Sequence, residues 1–251
     1  MNLSYSKYLK LDELLGIQVP LSEKEHDETL FIIIHQVYEL WFKQILHELN
    51  FLRVSLEKNE PSQAMATLKR TLTILKTMVA QIDILETMTP LSFLAFRDRL
   101  ENASGFQSIQ FRKLEIALGK RSLDEQRQKG LEQDLNKPSI YDSLLKFLKL
   151  NGYEIPQKIL DHDLTKTHNE SPEVQKILID VYRNNAALMP ICERFVDLDE
   201  GIQEWRYRHV KMVERTIGTK SGSGGSSGAE YLKRTLFKPL FPDLWIIRSE
   251  F

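Results

Sequence analysis

Apolar positions recur along this chain at steps of three and four residues almost throughout, and no stretch alternates apolar with polar residues over the length of a strand. Met65, Leu68, Leu72, Leu75, Val79 and Ile82 give the clearest case. They trace one seam on a long helix, with Pro61 suited to its first turn and Pro90 marking its end. The preceding stretch differs. Leu30, Phe31, Ile32, Ile33, Ile34, Val37, Leu40, Trp41, Phe42, Ile45, Leu46 and Leu49 cover most of a helical circumference, which predicts a helix in the middle of a bundle. Ser22 and Glu25 form an S-x-x-E capping box ahead of it.

Further on, Ser92–Leu100 reads as a short helix and Asn102–Gly105 as a break. Phe106–Leu118 reads as a helix closed by Gly119, and the polar stretch Lys120–Pro138 as an exposed connection. Ser139–Leu150 is an amphipathic helix stopped by Asn151-Gly152, and Asp161–Ser171 a polar loop. Ser171-Pro172-Glu173 starts a helix that should run to about Asp199 with a kink at Pro190. Another should cover Gly201–Ile217 and stop at Gly218. A last one, Ala229–Leu236, leads into a tail carrying Phe237, Phe241, Trp245 and Phe251. The expected fold is all-α, an irregular multi-helix bundle, as a single domain over residues 1–251.

Charge and cysteine content narrow the function classes. The 34 basic and 35 acidic residues leave a formal charge of −1, without the basic footprint of a nucleic-acid-binding protein. One cysteine among 251 residues cannot make an internal disulfide, a thiolate-bound cluster or a CxxCH haem attachment. Cys192 itself reads as a buried, inert thiol. The apolar run Leu30–Leu52 is long enough to tempt a membrane assignment, but His35, Glu39, Lys43, His47 and Glu48 interrupt it. MNLSYSKYLKLDELL has no signal-peptide pattern. No membrane and a cytoplasmic location are expected.

Several residues carry potential chemistry, each with an ordinary alternative. His35 lies one turn from both Phe31 and Glu39, either as a core histidine or as a polar group aimed into an apolar pocket. His209, in Trp205-Arg-Tyr-Arg-His209, is a helix residue that suits a proximal haem ligand equally well. Arg97 follows Phe93 and Phe96, so it can face a carboxylate beside an aromatic wall or simply pair with Asp98 or Glu101. The Gly/Ser run 221–228 reads as a linker or as an anion-cradling loop. Asp161-His162-Asp163 with His168 is a weak metal candidate, in a polar loop without the helical spacing of HExxH.

Three segments taken together are more specific: LFIIIHQVYELWFKQILHEL at 30–49, FLAFRDRLENASGFQ at 93–107 and WRYRHVKMVERTIGTKSGSGGSSG at 205–228. In order and spacing they resemble tryptophan 2,3-dioxygenase, and the resemblance extends from Tyr5 to about Leu236. It implies a homotetrameric, all-α haem dioxygenase whose bundle encloses one non-covalent haem b per subunit. Such an enzyme uses O2 to open the indole ring of L-tryptophan to N-formylkynurenine, the first step of the kynurenine route. By the same resemblance His209 is the haem iron's axial ligand, and Ser104 is a small hydroxyl residue near the haem. His35 is the catalytic distal histidine. Phe31, Ile34, His35, Phe93, Arg97 and Ser223 contact substrate, with Arg97 on its carboxylate. Tyr5, Tyr8 and Leu9, within an N-terminal segment of residues 1–20, finish a neighbouring subunit's pocket. Residues 218–228 become an active-site loop and not a linker. Ser223 departs from the family's usual threonine; it keeps the hydroxyl and loses the methyl that restricts its rotamers. A related haem oxygenase acting on another indole, or a non-catalytic helical haem protein, fits the same residues.

Overall fold

The computed structural model describes residues 3–121, 130–222 and 228–251. Among them every regular element is helical. The order is α1 (Tyr5–Leu9), α2 (Leu11–Leu15), α3 (Asp27–Glu57), α4 (Pro61–Leu85), α5 (Pro90–Arg97), α6 (Ile109–Ala117) and α7 (Glu132–Leu135). Then come α8 (Ile140–Leu150), α9 (Gln157–Leu160), α10 (Pro172–Asn184), α11 (Met189–Ile217), α12 (Ala229–Lys233) and α13 (Pro242–Ile246). The expected all-α class is the one observed.

Three long helices, α3, α4 and α11, form the centre, with α4 packed against both others. Of the seam read from the sequence, Leu68, Leu75, Val79 and Ile82 lie in the main core, Met65 and Leu72 are half-buried against it, and Met78 joins them, with Ile45, Leu49 and Leu52 of α3 and Phe195, Leu198 and Ile202 of α11. Full burial of one such side chain contributes about 1.5–3 kcal/mol. The α4–α11 approach is close at Gly201, where an added Cβ would sit 3.4 Å from Leu75 Cδ1.

No helix boundary falls near residue 200: α11 runs unbroken through Gly201, and the break lies at residues 185–188, with Pro190 in the first turn of α11 and not at a kink. Glycine here serves helix packing. Pro90 likewise opens α5, N-capped by Thr89, while α4 has already ended at Leu85. The capping box ahead of α3 is also re-paired. The buried Glu28, not Glu25, accepts hydrogen bonds from the Leu21 and Ser22 backbone N–H groups at 2.7 and 2.8 Å and from the Ser22 hydroxyl. A helix starting at Asp27 puts Glu28 in its first turn, where a carboxylate also meets the positive end of the helix dipole.

Helix α3 is not enclosed on all sides. Leu40 is 51% and Ile33 41% exposed, so part of its apolar circumference remains open in the single chain. The polar stretch 120–138 is not simply an exposed connection. Arg121 is buried and donates to the carbonyls of Leu135 (2.8 Å) and Lys137 (2.7 Å), and Leu131 and Leu135 pack on Ile116. Residues 122–129 of that stretch lie outside the described residues. The C-terminal tail is tied down by the buried Asp199, which accepts from Leu240 N, Phe241 N and Trp245 Nε1 at 2.7–3.1 Å. Cys192 is buried, and burial pushes its thiol up to about 12, as an inert thiol requires.

Candidate functional site

The middle of α3, the C-terminal half of α11 and the segment from α5 to α6 border two adjoining cavities of about 140 and 460 Å³. Both cavities are lined by His35, Glu39, Ser108, His209, Met212 and Leu232. The larger one is also bordered by Phe31, Phe93, Arg97, Ser104 and Gly228. Together they are of the size that holds a cofactor with a small substrate, and their walls are mainly apolar.

His35 is fixed by its own helix. Its Nδ1 lies 2.7 Å from the Phe31 carbonyl oxygen, so Nδ1 carries the proton and donates. Nε2 is then a bare lone pair, an acceptor. Burial pushes the imidazole below its ordinary pKa, against smaller upward effects of the Phe31 carbonyl and Glu39. The ring contacts Phe31 at a centroid distance of 4.1 Å, and Phe31 joins Phe93 and Phe96 in an aromatic wall at 5.5–5.7 Å.

His209 sits one turn after Trp205 on α11, and the two rings are parallel within 2° at 5.5 Å. Burial, with a smaller effect of His35, holds its pKa down at about 4. Both histidines are therefore neutral near pH 7, and a neutral imidazole is the form that binds metal.

The smaller cavity ends in a charge cluster. Glu115, nearly fully buried, accepts from Arg112, from Lys120 at 2.7 Å and from Arg206 at 3.4 Å. All four side chains border the cavity, and three cations share one carboxylate. Arg112, Lys120 and Arg206 thus present charged donors on this wall, which suits an anionic ligand.

Arg97, at the end of α5, donates from Nη2 to the backbone carbonyl of Ser221. The ends of the Gly/Ser stretch meet here. Gly228 has φ +60°, and a Cβ on it would lie 2.7 Å from the Lys220 carbonyl oxygen, so only glycine closes this approach.

The sequence profile of tryptophan 2,3-dioxygenase matches residues 1–137 and 176–251. A tryptophan 2,3-dioxygenase of Herpetosiphon aurantiacus is 58% identical over 99% of this chain and 98% of that protein. One from Anaeromyxobacter sp. strain K is 55% identical over 98% of this chain and 96% of that protein. Identity is still 41% to the Arthrobacter sp. strain FB24 protein of the same name, over 99% of this chain and 92% of that protein.

The chain belongs to the tryptophan 2,3-dioxygenase family.

Of the residues that the family resemblance singled out, Phe31, His35, Phe93, Arg97, Ser104 and His209 border one cavity. Ile34 does not border it. It is buried behind the wall with Leu85, Met88, Phe93 and Phe96, because consecutive helical positions point about 100° apart. Tyr5, Tyr8 and Leu9 are exposed on α1, away from the cavity lining of their own chain. Ser223 lies outside the described residues. The Arg112–Glu115–Lys120–Arg206 cluster was missed from the sequence. Arg112, Glu115 and Lys120 are spaced to share a face of α6 and its end, a pattern shared by most solvated helices, so only the packing of α11 marks them out.

Proposed function

We propose that this chain opens the indole ring of L-tryptophan with O2 to give N-formylkynurenine, at a non-covalent haem b held in the His35/His209 cavity. The observation that carries this reading is a single apolar cavity bordered by two neutral histidines from different helices, an aromatic wall and Arg97.

The residues present fit a haem. His209, neutral and facing the cavity, would hold the iron through a ring nitrogen. Arg112, Lys120 and Arg206 border the smaller cavity and would offer charged donors to the two propionates. Ser104 borders the same cavity, as a small hydroxyl beside the macrocycle should. The bound haem supplies the O2 activation that amino-acid side chains lack.

The protein's own part is positioning. Phe31 and Phe93 offer aromatic faces to the indole. His35 Nε2 accepts from the indole N–H, and its tautomer is set by the Phe31 carbonyl. This is an orienting role: an indole N–H is a very weak acid, and a buried imidazole of lowered pKa is a poor base for it. Arg97 pairs with the substrate carboxylate while one of its donors holds the Ser221 carbonyl, so substrate binding and loop closure share a side chain. By the family resemblance the Ser223 hydroxyl, which lies outside the described residues, would accept from the substrate ammonium. In the overall reaction the indole C2–C3 bond breaks and each carbon takes one oxygen, giving a formamide and a ketone.

The assembly is a homotetramer in which Tyr5, Tyr8 and Leu9 finish a neighbour's pocket. In support, α1 and α2 bury none of their own residues, and Leu3, Leu15, Val19 and Leu21 are also exposed nearby. Residues 1–251 act as one domain per subunit, with no nucleic-acid partner and a cytoplasmic location. Among the described residues no helix is long and apolar enough to cross a membrane.

Haem-loaded protein, reduced without oxygen and then mixed with L-tryptophan and O2, should form N-formylkynurenine, and His209→Ala should lose both the haem band and the product. Haem binding with no oxygen-dependent loss of tryptophan would refute the reading.

A further inference from the structure

Three potential metal ligands converge far along the chain from the haem-site motifs. Asp142 lies in the first turn of α8, while His162 and His168 lie in the loop between α9 and α10. Both Nε2 atoms are 2.7 Å from the same oxygen, Asp142 Oδ1, and the imidazole centroids are 3.8 Å apart. One ligand atom from each residue falls within 4.8 Å of the others. The other carboxylate oxygen, Oδ2, is held by the Ser139 backbone N–H at 2.7 Å and the Ser139 hydroxyl at 2.6 Å. The carboxylate is thus oriented from behind, and its free oxygen faces the histidines, as outer hydrogen bonds orient ligating carboxylates in metal sites. All three side chains are largely buried. The two histidines open onto a cavity of about 340 Å³ that Asp163 and Glu170 also border, and that shares no lining residue with the His35/His209 cavities.

We propose that Asp142, His162 and His168 form a binding site for a divalent transition-metal ion of the zinc class, pinning the 161–171 loop to the start of α8. Two imidazoles and one carboxylate are a donor set that zinc accepts, with water or a side chain in the remaining position. Ligand atoms about 2.0–2.2 Å from a tetrahedral ion stand roughly 3.3 Å apart. An ion therefore enters by parting the present contacts by about half an ångström, a shift within reach of a loop side chain. The cavity supplies a path of entry. A hydrogen-bond network alone asks both rings to present Nε2–H to one oxygen while in contact with each other; an ion uses both lone pairs at once. The family profile matches residues 1–137 and 176–251, and all three ligands lie in the segment between the two matched parts.

The test uses the haem-loaded protein, stripped of loose metal with a chelator and titrated with Zn2+ against a chromophoric competitor, alongside His162→Asn and His168→Asn. These substitutions leave the Asp142 cap intact, and their haem spectra and helical content report folding. One zinc per chain beyond the haem iron is expected, with affinity at least about 100-fold weaker in either variant and unchanged tryptophan turnover. Saturating Zn2+ should raise Tm by roughly 5 °C in the parent only. No zinc retained by the parent, or equal affinity in folded variants, overturns the proposal.

Discussion

Replacing Arg97 by Ala separates two duties of one side chain. The guanidinium donates to the Ser221 carbonyl and, in the proposed complex, to the substrate carboxylate. A hydrogen bond to a charged group contributes about 1.5–3 kcal/mol, which is a factor of roughly 10 to 150. The bond to the loop carbonyl has the same charged donor and also contributes about 1.5–3 kcal/mol, but it is lost for every substrate alike. L-Tryptophan should feel both losses, and 3-methylindole, which has no carboxylate, only the loop's. In steady-state assays with both substrates, kcat/KM for tryptophan should therefore fall by at least an order of magnitude more than for 3-methylindole. The haem band and Tm should hold, since Arg97 is half-buried and outside both main hydrophobic clusters. Equal losses for the two substrates would refute the carboxylate assignment and leave Arg97 as a loop anchor only.

Three other outcomes are expected. His35→Ala should lower kcat/KM roughly 2- to 13-fold, the worth of one neutral hydrogen bond, and complete loss of turnover with haem retained would contradict an orienting role. Gly228→Ala must place a Cβ at φ +60° and 2.7 Å from the Lys220 carbonyl, so the loop should shift and KM rise at least several-fold while Tm, read by calorimetry, stays nearly constant. In haem-free protein, His209 ionises near 4 when folded against an ordinary 6.5 when unfolded. The unfolded state then binds the extra proton between those values, so stability is complete above about pH 6.5 and falls by about 3 kcal/mol as pH drops towards 4. His209→Phe should flatten that slope in denaturant titrations at several pH values.

The long helices were legible because burial imposes a period: the α4 seam from Leu68 to Ile82 is written every three or four residues, and it is the seam the structure buries. Boundaries were misjudged where one residue type serves two purposes. The sequence places a boundary between Asp199 and Gly201, where the structure has continuous helix and a contact of Gly201 with Leu75; Pro190 reads as a kink and is a first-turn proline. Isolated buried charges were illegible for a related reason. Glu28, Arg121, Asp199 and the Glu115 cluster act through backbone groups or helices distant in sequence, and nothing local distinguishes them from solvated charges. At the site, His35 and His209 each had an ordinary alternative, and only the folded chain brings both to one cavity. The 161–168 histidines show the converse. Their partner is not Asp161 or Asp163 but Asp142, whose role as the Ser139 capping-box acid hid its second oxygen.

In the proposed function the His35/His209 cavity holds a haem at which both atoms of O2 enter tryptophan. The direct measurement is mass spectrometry of the product formed by reduced, haem-loaded protein from L-tryptophan under 18O2. N-formylkynurenine carrying two labelled oxygens is expected from the parent chain, and none from His209→Ala. A product with a single labelled oxygen, or undiminished product from the His209 variant, would contradict that function.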